Sequence, residues 1–133
     1  MGSQATTVHV CVTCRDADDI ETADSKCRGL RLYEALDAAA SPDHEVSIAP
    51  VECLAVCKRP CTIAFTAPGK LTYVFGDLDP ETGAADVLEG ARVYSQSETG
   101  LMAWRERPRP LRRGTIARIP SSPLSPPASE AAE

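Results

Sequence analysis

Six cysteines arranged in two groups constrain this 133-residue chain more than any other feature. The spacing is Cys11-x2-Cys14, twelve residues to Cys27, twenty-five to Cys53, then Cys53-x3-Cys57-x3-Cys61. A single buried cysteine is ordinarily a small hydrophobe. Two groups of thiols about forty residues apart, each leaving a strand-like run, instead predict one metal or cluster site assembled from two loops. The first residues, MGSQATTVHV, lack the basic-then-apolar pattern of a secretory signal. The thiols are therefore expected in a reducing cytoplasm, where metal binding or redox chemistry is favoured over structural disulfides.

The rest of the chain indicates how two such loops can meet. A β-branched run over residues 6–12 predicts a first strand that carries Cys11 at its end. The acidic stretch 15–26 has no period and reads as a solvated loop. Leu32, Tyr33, Leu36, Ala39 and Ala40 recur at helical spacing over 29–40, and Ser41-Pro42-Asp43 ends that helix. Residues 45–51 alternate apolar and polar and predict a second strand leading to Cys53. Residues 61–67 and 71–75 predict a hairpin across Pro68-Gly69-Lys70, with Gly76 at the strand end. Asp79 as a cap and Pro80 at the first helical position open a second helix, with Ala84, Val87, Leu88, Ala91 and Tyr94 on its inner face.

Strand, helix, strand, hairpin, helix is the order of an α/β thioredoxin-like domain, here with a small mixed four-stranded sheet and two main helices. The first two strands are expected to be parallel neighbours joined by a right-handed crossover, which sends both cysteine loops out of one end of the sheet. This cluster-binding domain is expected over residues 1–103, an Arg/Pro-rich arm over 104–120 and a disordered Pro/Ser/Ala-rich tail over 121–133. The arm is expected to lie across the sheet with Trp104 as its core anchor, in preference to being a docking strip.

Charge narrows the function classes. Residues 1–103 carry eight Lys or Arg against sixteen Asp or Glu, whereas 104–118 carry six Arg against Glu106. An acidic body repels phosphate backbones, so nucleic-acid binding is not expected. Nothing approaches the ~18–20 apolar residues of a membrane span, so no membrane role is expected either. There is no G-x-G-x-x-G, Walker loop or H-E-x-x-H, and no helix offers a nucleophile beside a base, so the chain is not read as an enzyme.

Sulfur ligation without a paired histidine suits Zn or an iron-sulfur centre. His9 and His44 lie apart from the cysteine spacings and read as structural. The C-x3-C spacing of the second group departs from the C-x2-C hooks of a structural Zn knuckle, whereas thiolates on two loops can hold a [2Fe-2S] rhomb. Lys58 and Arg59, between Cys57 and Cys61, read either as cations that offset the negative charge of such a group or as solvated loop charges.

The stretch HVCV, the cysteine before the first helix and ECLAVC resemble the thioredoxin-like [2Fe-2S] ferredoxins and the small iron-sulfur subunit of respiratory NADH dehydrogenase. With VCVTCR, CKRPCTIAF, PGKLTYVFGDLD, WRERP and ARIP, the chain is more similar still to a bacterial branch of predicted metal-binding proteins associated with cobalamin biosynthesis. The resemblance spans about residues 7 to 120. It implies Cys53 and Cys57 as one ligand pair and Cys11 as a third ligand. Cys14 and Cys27 both qualify as the fourth: Cys27 by its place before a helix, Cys14 by its spacing. Cys61, opening a strand, reads as buried beside the site.

The function expected is a small electron carrier or redox-linked protein, with a tie to cobalamin or metal metabolism implied by the resemblance. It would meet a redox partner at the cysteine rim, and a homodimer is compatible with this. A Zn- or Co-binding delivery protein is the alternative. A thiol-disulfide oxidoreductase using Cys11 and Cys14 is the second, disfavoured because five acids follow the pair and oppose a thiolate.

Overall fold

The computed structural model describes residues 6–13, 27–40, 46–55, 59 and 61–120. Cys14, Cys57, the acidic stretch 15–26 and the tail 121–133 lie outside the described residues.

The β-branched run at the start forms β1 (Thr6–Cys11), and the periodic segment after Cys27 forms α1 (Arg28–Ala39). β2 (Val46–Val51), β3 (Ile63–Thr66) and β4 (Thr72–Phe75) follow, then α2 (Gly83–Gln96). This is the order expected. Gly69, with φ +74°, supplies the left-handed residue of the β3–β4 turn. The second helix starts later than expected: Asp79 Oδ1 accepts from the amides of Glu81 (2.7 Å) and Thr82 (3.1 Å), capping a turn that contains Pro80. Helical residues begin only at Gly83.

The sheet has five strands in the order β2-β1-β3-β4-β5, not four. The extra strand comes from the arm, which folds into α3 (Arg109–Gly114) and β5 (Thr115–Ile119). β1 and β2 are parallel, with Cys11 opposite Val51; β3, β4 and β5 are added antiparallel in turn. Alternation along the strands sends Val8, Val10, Ile63, Phe65, Tyr73 and Phe75 to one face, where Leu32 and Leu36 of α1 and Val87, Ala91 and Tyr94 of α2 join them in one core. Phe65 and Phe75 meet edge to face at 5.1 Å, and Tyr73 stands edge-on to Tyr94 at 6.3 Å.

Trp104 is not the arm's anchor. It is 59% exposed in a short 3-10 turn, while Met102 and Leu111 are fully buried. Tyr73 Oη accepts from the Met102 amide at 2.9 Å. Arg107, itself buried, donates through Nε to Met102 O at 3.0 Å and lies 5.2 Å from the Tyr73 ring centroid. No helix among the described residues is long and apolar enough to cross a membrane.

Candidate metal centre

Strand direction decides which residues share an end of the sheet. Because β1 and β2 are parallel, Cys11 at the end of β1 and Cys53, two residues past the end of β2, leave on the same side. Cys27 is the N-cap residue of α1, the helix that connects these strands. β3 runs the opposite way with Val10 opposite Ile63, so Cys61, just before β3, also comes to this end.

Backbone contacts knit three of these cysteines together at one residue's remove. The Cys11 thiol lies 3.6 Å from the carbonyl of Glu52, the residue before Cys53. The Cys27 thiol donates to the carbonyl of Val12, the residue after Cys11, at 2.9 Å. The Val12 amide donates to Val51 O at 2.9 Å, continuing the ladder to the edge of the site. Thr13 Oγ1 hydrogen-bonds the same Glu52 carbonyl and stands 3.6 Å from the Cys11 sulfur.

Exposure separates the four. Cys53 is exposed, Cys11 and Cys27 are buried, and Cys61 is fully buried in the apolar core. Cys61 exchanges backbone hydrogen bonds with Leu78, both at 3.3 Å, which holds it beneath the rim. The Ala55 amide donates to Cys53 Sγ at 3.1 Å. Ala55 adopts φ +64°, a left-handed conformation that costs an alanine about 1–2 kcal/mol. Sequence reasoning had no signal for this donor, since nothing in the residue type marks a left-handed alanine.

Whether this donor set suits a metal group is a question of chemistry and placement. Among the described residues, no group of three or more His, Cys, Asp or Glu is gathered closely enough to hold a metal ion. The donors nevertheless suit one: thiols from three elements at one end of the sheet, one already accepting a backbone N–H, which is how proteins offset the charge of ligated thiolates. His9 lies within β1, its Nε2 2.8 Å from Thr66 Oγ1 of β3, and His44 lies outside the described residues.

Arg59 is not held over the cysteines. Its guanidinium lies on the Asp77 carboxylate, with Nε and Nη2 both 2.7 Å from Oδ2, and its carbonyl accepts the Asp77 amide at 3.0 Å. This clamp ties the second cysteine segment to the end of β4. Asp77 takes φ +60°, and the preceding Gly76 has no room for a side chain: a Cβ there would lie 2.7 Å from Ile116 Cδ1 and 2.8 Å from Arg59 O. Neither residue was singled out as a partner for Arg59, because the pairing spans 18 residues and depends on β3 and β4 turning back.

The sheet order and the helices on its face define a thioredoxin-like α/β fold. The fold is similar to that of a thioredoxin-like [2Fe-2S] ferredoxin from Aquifex aeolicus, with 18% identity, a TM-score of 0.54, and coverage of 86% of this chain and 93% of that one. The chain belongs to the family described as protein of unknown function (DUF1636), whose model matches residues 8–121. No curated protein matches it.

Proposed function

We propose that this chain is a small electron carrier that holds one [2Fe-2S] group at the cysteine-bearing end of its sheet. The observation that supports this reading is that the Cys11 thiol meets the carbonyl of Glu52, the residue before Cys53, and the Cys27 thiol that of Val12, the residue after Cys11, so that three cysteine-bearing segments lie together at one end of the sheet. When bound, such a group supplies one-electron transfer. Cys53, Cys57 and Cys11 would hold it, with Cys14 or Cys27 as the fourth ligand. Burial of Cys11 and Cys27 keeps water from that side, while exposed Cys53 marks the side open to a partner. The Ala55 amide offsets negative charge on the Cys53 sulfur. The α1 N-terminus, where Cys27 sits, also favours negative charge nearby.

The likeness to the Aquifex ferredoxin supports this reading. The sequence resemblance to the branch associated with cobalamin biosynthesis makes a redox step in cobalamin or metal metabolism its natural setting. Burial of Cys11 speaks against Cys11 and Cys14 as an exchanging pair, since reactive thiols are partly exposed.

Anaerobic purification followed by visible absorption and by iron, sulfide, zinc and cobalt analysis tests the proposal. A red-brown protein with two irons and two sulfides per chain is expected. A colourless protein carrying zinc, or one carrying cobalt, overturns it in favour of metal delivery. Cys11→Ser, Cys53→Ser and Cys57→Ser are each expected to lose the iron and Cys61→Ala to keep it, and whichever of Cys14→Ser and Cys27→Ser loses it identifies the fourth ligand.

A further inference from the structure

We infer that α3 and the end of β4 form a docking surface for an acidic protein, at the same end of the sheet as the cysteines. This deepens the electron-carrier reading and rests on it for the partner's role. The surface itself rests on topology and charge.

β4 runs parallel to β1, because β3 is antiparallel to both, so Phe75 to Asp77 leave the sheet at the cysteine end. β5 is antiparallel to β4 with Thr115 opposite Phe75, which brings α3, immediately before β5, to that same end. The contacts are continuous. Cys61 pairs with Leu78, Arg59 with Asp77, and the Gly76 amide donates to Gly114 O at 2.8 Å at the end of α3. Gly114 in turn lies so close under Gly76 O that a Cβ would collide with it.

The six arginines of the arm divide by this placement, with Arg105 exposed in the 3-10 turn before α3. Arg107 is buried and Arg112 Nε donates to Arg107 O at 3.0 Å, so both serve the arm's own fold. Arg118 sits farther along β5, opposite Tyr73. Arg109 and Arg113 are one turn apart on α3, both exposed, and neither makes an ion pair or side-chain hydrogen bond among the described residues. With Asp77, Pro110 and Gly114 they line a groove of about 460 Å³. Arg59 already engages the Asp77 carboxylate, so both helix guanidiniums are left for an outside anion.

The chemistry favours a protein surface over a small anion. A pocket built for a small anion encloses its charged groups, whereas Arg109 and Arg113 are exposed. The body over residues 1–103 has twice as many acidic as basic residues. A basic patch on an otherwise acidic molecule orients an acidic partner toward that patch, and here the patch lies at the same end of the sheet as the thiols, across β3 and β4 from Cys11.

The test is a titration of full-length, isotope-labelled protein with hexaglutamate, followed by backbone amide NMR, with inorganic phosphate as a parallel arm. Amides over 76–78 and 109–114 are expected to shift with hexaglutamate. Binding is expected to weaken at least about tenfold in the Arg109→Gln/Arg113→Gln double variant, and likewise on raising salt from about 0.02 to 0.2 M. Arg109→Lys/Arg113→Lys, which keeps the charge, is expected to retain most of it. Phosphate binding as tightly at the same amides overturns the inference in favour of a small-anion site. So does hexaglutamate that shifts other amides, fails to bind at low salt, or binds the glutamine variant unchanged. The titration needs no metal, so its failure is distinguishable from a failure of the iron analysis.

Discussion

Tyr94 sits on α2 with its ring 5.5 Å from that of Phe65 and its hydroxyl donating to Leu71 O at 2.6 Å. Burial, and then the neighbouring Tyr73, push its pKa up from 10.0 to about 12. A group whose pKa is raised by folding stabilises the fold below its unfolded value and loses that contribution as pH rises through its folded value. Stability is therefore expected to fall between pH 10 and about 12, followed by denaturant titration, with a shallower fall in Tyr94→Phe. That variant also loses a hydrogen bond worth about 1 kcal/mol at neutral pH. Tyr94 was legible as an inner-face residue from its helical spacing. Its hydroxyl's partner was not, because Leu71 is 23 residues away and meets it only once the hairpin forms. Cys61 was likewise legible as buried, since it opens an apolar strand. The positive φ values of Ala55 and Asp77 left no trace in residue type.

At the scale of elements, the arm separates pattern from pairing. Strands β1 to β4 declare themselves by β-branching and alternation. Thr115–Ile119 is short, carries Arg118, and becomes a strand because β4 would otherwise be an open edge. The register places Phe75 opposite Thr115 and Val74 opposite Ala117, passing over Ile116, a bulge that turns Ile116 toward Gly76. Trp104 looked like the anchor because a lone tryptophan usually is one. Leu111 holds the position instead, fully buried on α3. Leu111→Ala is thus expected to cost about 2–5 kcal/mol, whereas Trp104→Ala is expected to cost under about 1 kcal/mol, limited to its contact with Arg107. Equilibrium unfolding of the two variants checks the contrast, and the reverse order would restore Trp104 as the anchor.

For the whole molecule, core and site are built from different parts. The core lies between one sheet face and the helices, and among the described residues Cys11, Cys27 and Cys53 lie outside its cluster of buried side chains while Cys61 is inside it. Removing metal with acid or chelator is therefore expected to leave the far-ultraviolet circular dichroism largely intact. Amide exchange is expected to quicken at residues 11–13 and 52–55 but to stay slow across β3, β4 and α2. Collapse of the whole fold on metal removal would show that the site is a structural staple instead.

The amino-acid sequence by itself determined the order of elements from β1 to α2, the inner faces of those strands and helices, and the two cysteine groups, because each depends on periodicity and spacing within a few residues. The parallel pairing that sends the cysteine loops out of one end was also expected from the order of elements; tertiary structure alone decided that the arm adds a fifth strand and which end of the sheet its arginines occupy. Strand direction brought Cys11, Cys27 and Cys53 to one end of the sheet and carried Arg109 and Arg113 to that same end, through hydrogen-bonded pairings between segments far apart in the chain. Such pairings form only when burial of both partners outweighs the entropy of closing the loop between them, and no local pattern records that balance.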